Sequence, residues 1–341
     1  MQYLICEKPG LFALREKPTP VRQPNEALLK VKQVGICGTD LHAYAGNQAF
    51  FTYPRILGHE LAVEISEIGP NDRGLKAGDR AIVMPYLNCG TCVACRNGQT
   101  NCCTQLKVLG VHTDGGMQEH ITLPNSTLLP ADGLSDDAIA IVEPLAIGAH
   151  ALRRAAIRPE EWVLVIGCGP IGVGLIKFAQ LSGAEVIAMD IDARRLDFVK
   201  NKLGVKHLVQ AGAQALEAIR DLTQGDLASA VFDATGNKAA LESGVQYMSH
   251  GGRYVLVGLS KGSLTFEHPA IHSKELTLLC SRNATVEDFE RVKAVLQGGL
   301  FPVGDYITHR VPFAEMIGQF ESWLLPETGV VKAMVECTGV N

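Results

Sequence analysis

W-V-L-V-I-G-C-G-P-I-G-V-G-L-I-K-F-A, residues 162–179, is the stretch on which the fold turns. The unbroken apolar run from Trp162 to Ile166 suits a strand buried on both faces, and Ile171, Leu175, Phe178 and Ala179 then recur at helical spacing. Between them lies G-x-G-x-x-G. Glycines at 167, 169 and 172 permit a tight turn, close approach of a pyrophosphate to the backbone, and close packing of helix on strand. The helix that opens at this turn offers free N–H groups to an anion. Alone the motif is weak, because structural glycine turns are common; the strand before it and the helix after it supply the missing context. Asp190 ends the next apolar run, E-V-I-A-M-D, where an acid can accept a hydrogen bond from a ribose 2'-hydroxyl. Gly167, Gly169, Ile171, Gly172 and Asp190 are therefore candidate contacts for a dinucleotide.

Outward from this unit the alternation repeats: a helix from Ala193, A-V-F-D-A-T-G, a helix from Lys238, and R-Y-V-L-V-G. Strands and helices taking turns imply right-handed crossovers and a doubly wound parallel sheet, an α/β fold of the Rossmann kind. Val257, Gly258 and Leu259 at the end of the last run, and Ser281 beyond it, are further candidate cofactor contacts. A carboxylate at Asp190 favours NAD over NADP, because a 2'-phosphate about 4 Å away would be repelled by roughly 1 kcal/mol even in water. Arg194 and Arg195 pull the other way: either could lie over the adenine, with Arg195 the candidate contact, or reach a phosphate.

Upstream the patterning differs. Short segments such as A-L-L-K-V, residues 27–31, and L-A-V-E-I, residues 61–65, are broken repeatedly by Gly and Pro and predict a mostly β domain. The expected organisation is residues 1–147, then 148–276 as the parallel-sheet domain, then 277–341 returning to the first domain through 306–313 and 330–336. Lys and Arg number 31 against 36 Asp and Glu, a formal net charge of -5, and no basic run is visible, so nucleic acid is not an expected partner. The opening M-Q-Y-L-I-C-E-K lacks a signal-peptide pattern, and no apolar run is long enough to span a bilayer, so a cytoplasmic protein with no membrane partner is expected.

Five of the ten cysteines crowd into Y-L-N-C-G-T-C-V-A-C-R-N-G-Q-T-N-C-C-T, residues 86–104. A reducing cytosol disfavours disulfides, and a chain of 341 residues buries a core without them. Cys89, Cys92, Cys95 and Cys103 follow C-x2-C-x2-C-x7-C, which lets four thiolates close on a structural Zn2+ with no open position. An iron–sulfur run of the ferredoxin type would place its fourth cysteine after three residues with Pro next, whereas Thr104 follows here. Cys102 is left as a plain thiol.

A second constellation, G-I-C-G-T-D-L-H at 35–42 and L-G-H-E at 57–60, offers the thiolate and imidazole of an open zinc site, Cys37 and His59, with Glu60 as a carboxylate neighbour. Glu143 interrupts the apolar I-V-E-P-L and should need a cation if buried. The order C-G-T-D-x-H, G-H-E, four-cysteine lobe, E-P and G-x-G-P-x-G resembles the zinc-dependent medium-chain dehydrogenase/reductases over essentially the whole chain. That resemblance implies a GroES-like catalytic domain beside the Rossmann domain, a dimer or tetramer, and Cys37, His59 and Glu143 as catalytic zinc ligands, with Glu60 able to bind or approach the metal. Classical alcohol dehydrogenases carry cysteine where Glu143 stands, which places the chain with the polyol and threonine dehydrogenase branch.

The resemblance also implies hydride transfer from a substrate carbon to the nicotinamide, with Thr39 passing the hydroxyl proton on and His42 delivering it to water. Segments 46–60, 108–116 and 281–289 are similar to those of bacterial dehydrogenases of L-galactonate, so a sugar acid or polyol is the expected substrate. An aldonate carries a carboxylate, for which Arg282 is the candidate anchor; a cofactor phosphate or a surface acid is the competing partner for that side chain. A non-catalytic NAD-binding protein is the contrasting reading, and it would be expected to have lost the open-site residues that are present here.

Overall fold

A computed structural model describes residues 1–48 and 51–337. Ala49 and Phe50, inside the quoted stretch 46–60, and residues 338–341, the end of the returning segment, lie outside the described residues. The chain divides into two compact units, one of residues 1–144 with 285–341 and one of residues 145–284.

The first unit is built on a seven-stranded sheet. Its long strand Glu26–Ile36 pairs antiparallel with Glu60–Ile68, His120–Pro124 and Lys332–Glu336. Ile307–Pro312 lies parallel to Lys332–Glu336, while Arg80–Val83 and Leu128–Pro130 extend the other side. The expected return of 306–313 and 330–336 thus takes the form of two strands. Along Glu26–Ile36, Ala27, Leu29, Val31 and Val34 are fully buried, and they share a core with Val63, Ile65, Val335 and Phe313. Phe12, Tyr44 and Phe320 pack together at 4.8–5.1 Å between ring centroids, tying the N-terminal hairpin to the short helices Gly38–Tyr44 and Met316–Phe320.

The second unit holds a six-stranded, all-parallel sheet. Across it the strands run His207–Gln210, Glu185–Asp190, Trp162–Ile166, Ala228–Asp233, Met248–Leu256 and Thr277–Cys280, the 3-2-1-4-5-6 order of a Rossmann sheet. The last strand corrects the expected boundary. Thr277–Cys280 pairs with Met248–Leu256, so the unit runs past 276 to Ala284; the short strand is largely exposed and lacks the apolar run that marks its neighbours. At the other end the unit starts at Leu145 rather than 148, within the helix Val142–Ala155. No helix among the described residues is long and apolar enough to cross a membrane.

Candidate metal and dinucleotide sites

Register brings the open constellation together. Gly35 pairs with Glu60 across the two central strands, so Cys37, just past one strand, meets His59 and Glu60 at the start of the other. A side chain at Gly35 would collide with the Glu60 carboxylate. One donor atom each from Cys37, His59 and Glu60 falls within 4.8 Å of the others. Cys37 caps the helix Gly38–Tyr44, and its N–H donates to Asp40 Oδ2 at 2.9 Å, while Gly58 N donates to Asp40 Oδ1 at 3.2 Å. Asp40 is fully buried, and its Oδ1 lies 4.0 Å from His59 Nδ1, a buried ring nitrogen with no hydrogen-bond partner. At that distance the carboxylate acts on the ring by charge rather than through a hydrogen bond.

The carboxylates have unequal partners. Lys332 Nζ donates to both Glu60 oxygens at 2.7 Å and to the Ile36 carbonyl at 3.0 Å, all fully buried. Burial opposes a charge on Lys332, but Glu60, Tyr306 and Cys37 together outweigh it and hold the ammonium pKa above its ordinary value. Glu143 was expected to have a cation and to join Cys37 and His59; His59 and Lys332 act on it electrostatically. It lies outside the group of Cys37, His59 and Glu60, and the Tyr86 hydroxyl donates to its Oε1. A buried carboxylate can be satisfied by a charge-assisted hydrogen bond from a neutral donor.

Charge bears on the fit to a metal. Asp40, Glu60, Glu143 and the Cys37 thiol face one ammonium and one imidazole in a buried space. Burial works against protonating His59, yet Cys37, Asp40 and Glu143 together hold its pKa well above the ordinary value. Thiolate, imidazole and carboxylate are zinc donors, so Cys37, His59 and Glu60 fit that metal. On the same helix, Thr39 is half-buried and His42 exposed, three residues apart and so on one face.

The four-cysteine lobe closes where Tyr86–Leu87 pairs with Lys107–Val108. The sulfurs of Cys89, Cys92, Cys95 and Cys103 lie within 4.8 Å of one another, and Cys102 stands apart as an exposed thiol. Backbone N–H groups point at the sulfurs: Cys89 N to Cys103 at 3.3 Å, Cys92 N to Cys89 at 3.4 Å and Gln105 N to Cys103 at 3.3 Å. Donation from the Cys95 and Thr104 backbones brings the Cys92 thiol down to about 5. Thiolates gathered without a disulfide fit a closed zinc site.

In the second unit, Gly167 has φ +94°, and a side chain at Gly172 would strike the Gly167 carbonyl. Gly169 caps the helix Pro170–Leu181, on which Ile171 is half-buried. Asp190 Oδ2 accepts from Cys168 N at 2.6 Å and Oδ1 from Asp192 N at 2.9 Å, which fixes the carboxylate beside the turn. Val257 and Gly258 donate to the Asp233 carbonyl at 3.0 and 2.9 Å, Leu259 is 69% exposed, and buried Ser281 has an unpartnered hydroxyl. All of these stand at the carboxyl ends of the parallel strands, where open α/β sheets take ligands. Arg194 is held by Asp192 at 2.7 Å, whereas Arg195 is exposed with its guanidinium near Gly169. Arg282 is exposed just past the sixth strand. The glycine cradle and the fixed acid fit a dinucleotide.

Asp40, Tyr86 and Lys332 are the site residues that sequence reasoning missed. Asp40 stood inside the quoted C-G-T-D motif, and Lys332 interrupts V-V-K-A-M-V, an apolar strand in which a lysine demands a partner.

Comparison with known proteins agrees. Residues 23–133 match the alcohol dehydrogenase GroES-like domain, and residues 170–297 match the zinc-binding dehydrogenase domain. The chain is 44% identical over 336 residues to L-galactonate-5-dehydrogenase of Escherichia coli K12, covering 98% of each. It is 31% identical over 318 residues to 2-dehydro-3-deoxy-L-galactonate 5-dehydrogenase of Pseudoalteromonas atlantica, covering 92% of each. A crystal structure from E. coli CFT073 described as a short chain alcohol dehydrogenase (rspB), complexed with NADH, superposes with a TM-score of 0.92 at 29% identity, covering 98% of this chain and 99% of that one. With two domain matches and this identity over its whole length, the chain belongs to the zinc-type medium-chain alcohol dehydrogenase family.

Proposed function

We propose that the protein oxidises a secondary hydroxyl of a sugar acid of the L-galactonate type, or of a related polyol, with NAD+ as acceptor. The observation that carries this reading is the convergence of Cys37, His59 and Glu60 on one strand pair, with Lys332 and Asp40 behind them. Zn2+ held by Cys37, His59 and a carboxylate supplies a Lewis acid that lowers the pKa of a hydroxyl. NAD+ held at the glycine turn, with its ribose on Asp190, supplies the hydride acceptor. Within the chain, Thr39 Oγ1 would accept the substrate hydroxyl proton as it releases its own towards the cofactor side, and exposed His42 would pass the proton on to water. Asp40 faces the His59 ring at 4.0 Å, and Lys332 holds Glu60 in place.

For the substrate, the relatives named for L-galactonate and 2-dehydro-3-deoxy-L-galactonate support a sugar acid, whose carboxylate Arg282 would bind. A charge-assisted hydrogen bond of about 1.5–3 kcal/mol favours the acid over the neutral polyol by roughly ten- to a hundredfold. The test compares kcat/KM for L-galactonate and galactitol, read as NADH absorbance, in wild type and Arg282→Ala. Equal rates in wild type would defeat the sugar-acid assignment, and a preference that survives the mutation would remove Arg282 as anchor. The open edge Thr277–Cys280, with Leu278 45% exposed, supports a homo-oligomer, which sedimentation would test.

A further inference from the structure

Two residues past the buried acid at the end of its strand, a second acid is committed to an arginine. Asp192 caps the helix Ala193–Leu203, its Oδ1 accepting from Arg194 N at 2.9 Å. The same carboxylate takes the Arg194 side chain in a fork, with Nε donating to Oδ1 at 3.1 Å and Nη2 to Oδ2 at 2.7 Å. Asp192 N in turn donates to Asp190 Oδ1 at 2.9 Å, so the pair is anchored to the acid assigned to the ribose. Arg195 is placed differently, with its guanidinium beside Gly169 of the glycine turn. Of the two arginines that could serve a 2'-phosphate, one is thus already engaged by an anion of the chain itself.

We propose that Asp192 is a specificity-determining residue that disfavours NADP+ by keeping Arg194 from the 2'-phosphate. A 2'-phosphate on a ribose at Asp190 would meet two carboxylates and a helix start already capped by an anion. The guanidinium best suited to neutralise it, a rigid fork that matches phosphate geometry, is spent on Asp192. Serine at 192 keeps a good helix cap but carries no charge and cannot accept a two-pronged fork. An exposed ion pair of this kind adds little to stability, so removing it acts on the choice of ligand rather than on folding. This inference rests on the reading of Asp190 as the ribose acceptor.

The test measures equilibrium affinities of the full-length protein for NADH and NADPH by nucleotide fluorescence at fixed ionic strength, with 5'-AMP and 2',5'-ADP as competitors. In Asp192→Ser the ratio of NADH to NADPH affinity should fall about tenfold, the scale of one charge-assisted hydrogen bond. The competitor 2',5'-ADP should gain on 5'-AMP by a similar factor, which places the effect at the added phosphate. Adding Arg194→Gln to Asp192→Ser should remove most of the gain, a reversal that a loosened turn would not produce. An unmoved ratio in Asp192→Ser, or a gain that survives the loss of Arg194, would overturn the proposal while leaving the preference for NAD+ standing. Wild type that binds NADPH at least as tightly as NADH would overturn the reading of Asp190, and this inference with it.

Discussion

Replacing Lys332 with methionine removes the one ammonium from a buried group of acids while nearly preserving volume. Lys332 Nζ lies 2.7 Å from both Glu60 oxygens, and both side chains are buried. At that separation the attraction is about 6 kcal/mol for an effective dielectric of about 20, part of which offsets the cost of desolvating two charges. Removing one partner of such a pair costs about 3–5 kcal/mol, because the other charge stays buried without a counter-ion. Metal-free Lys332→Met should therefore lose that much in urea unfolding. Zn2+ beside Glu60 restores a counter-charge, so the deficit should shrink on loading, and Lys332→Met/Glu60→Gln should be more stable than Lys332→Met when metal-free. The pKa of Lys332 is raised in the folded protein, so its contribution is fully present below the unfolded value of about 10.4 and fades as pH rises through the folded one. The difference between wild type and variant should thus be flat from pH 7 to 9. A metal-free variant as stable as wild type, or a double variant no better than the single one, would refute the account of the pair.

Three further outcomes are expected. Metal analysis should give two Zn2+ per chain, and Cys92→Ser should lose the lobe's zinc and thermal stability before it loses catalytic chemistry; iron in the lobe would contradict the cysteine assignment. Thr39→Ala or His42→Ala should slow turnover by about 10²- to 10⁴-fold with the open-site zinc retained, whereas Cys37→Ala should lose both, and unimpaired turnover in the two relay variants would dispose of the proton path. Asp190→Ala should narrow the preference for NAD+ over NADP+, measured as the ratio of kcat/KM values, since Asp190 is the fixed carboxylate beside the turn; wild type that already prefers NADP+ would contradict this.

What was legible in the sequence was what is local along the chain. The cysteine spacing at 89–103 and the glycine spacing at 167–172 report backbone geometry over a few residues, and their neighbours in space are their neighbours in sequence. Cys37 and His59 were legible because each sits in a short motif next to a strand end. The partners of the carboxylates were not. Lys332 meets Glu60 across 272 residues and Tyr86 meets Glu143 across 57, and nothing in either local stretch states the pairing. Glu143 was read as needing a cation, and His59 and Lys332 do act on it, but the Tyr86 phenol that also donates to it leaves no trace in the local sequence. The strand Thr277–Cys280 escaped because its exposed edge position removes the continuous apolar signature on which recognition of the other parallel strands depended.

The discontinuity of the first unit has a consequence for biosynthesis. Residues 145–284 contain every strand of the parallel sheet, so that unit can close as soon as it leaves the ribosome. The first unit cannot: its central strand Glu26–Ile36 waits for Lys332–Glu336, and Glu60 waits for its ammonium, until nearly the whole chain has been made. During that interval the Gln33–Ile36 end of the central strand lacks its late partner and Glu60 lacks its ammonium unless a metal arrives first. Nascent chains stalled after residue 284 should resist protease within 145–284 and be cut within 1–144, and Zn2+ in the translation mixture should protect the cysteine lobe before it protects the strands around it.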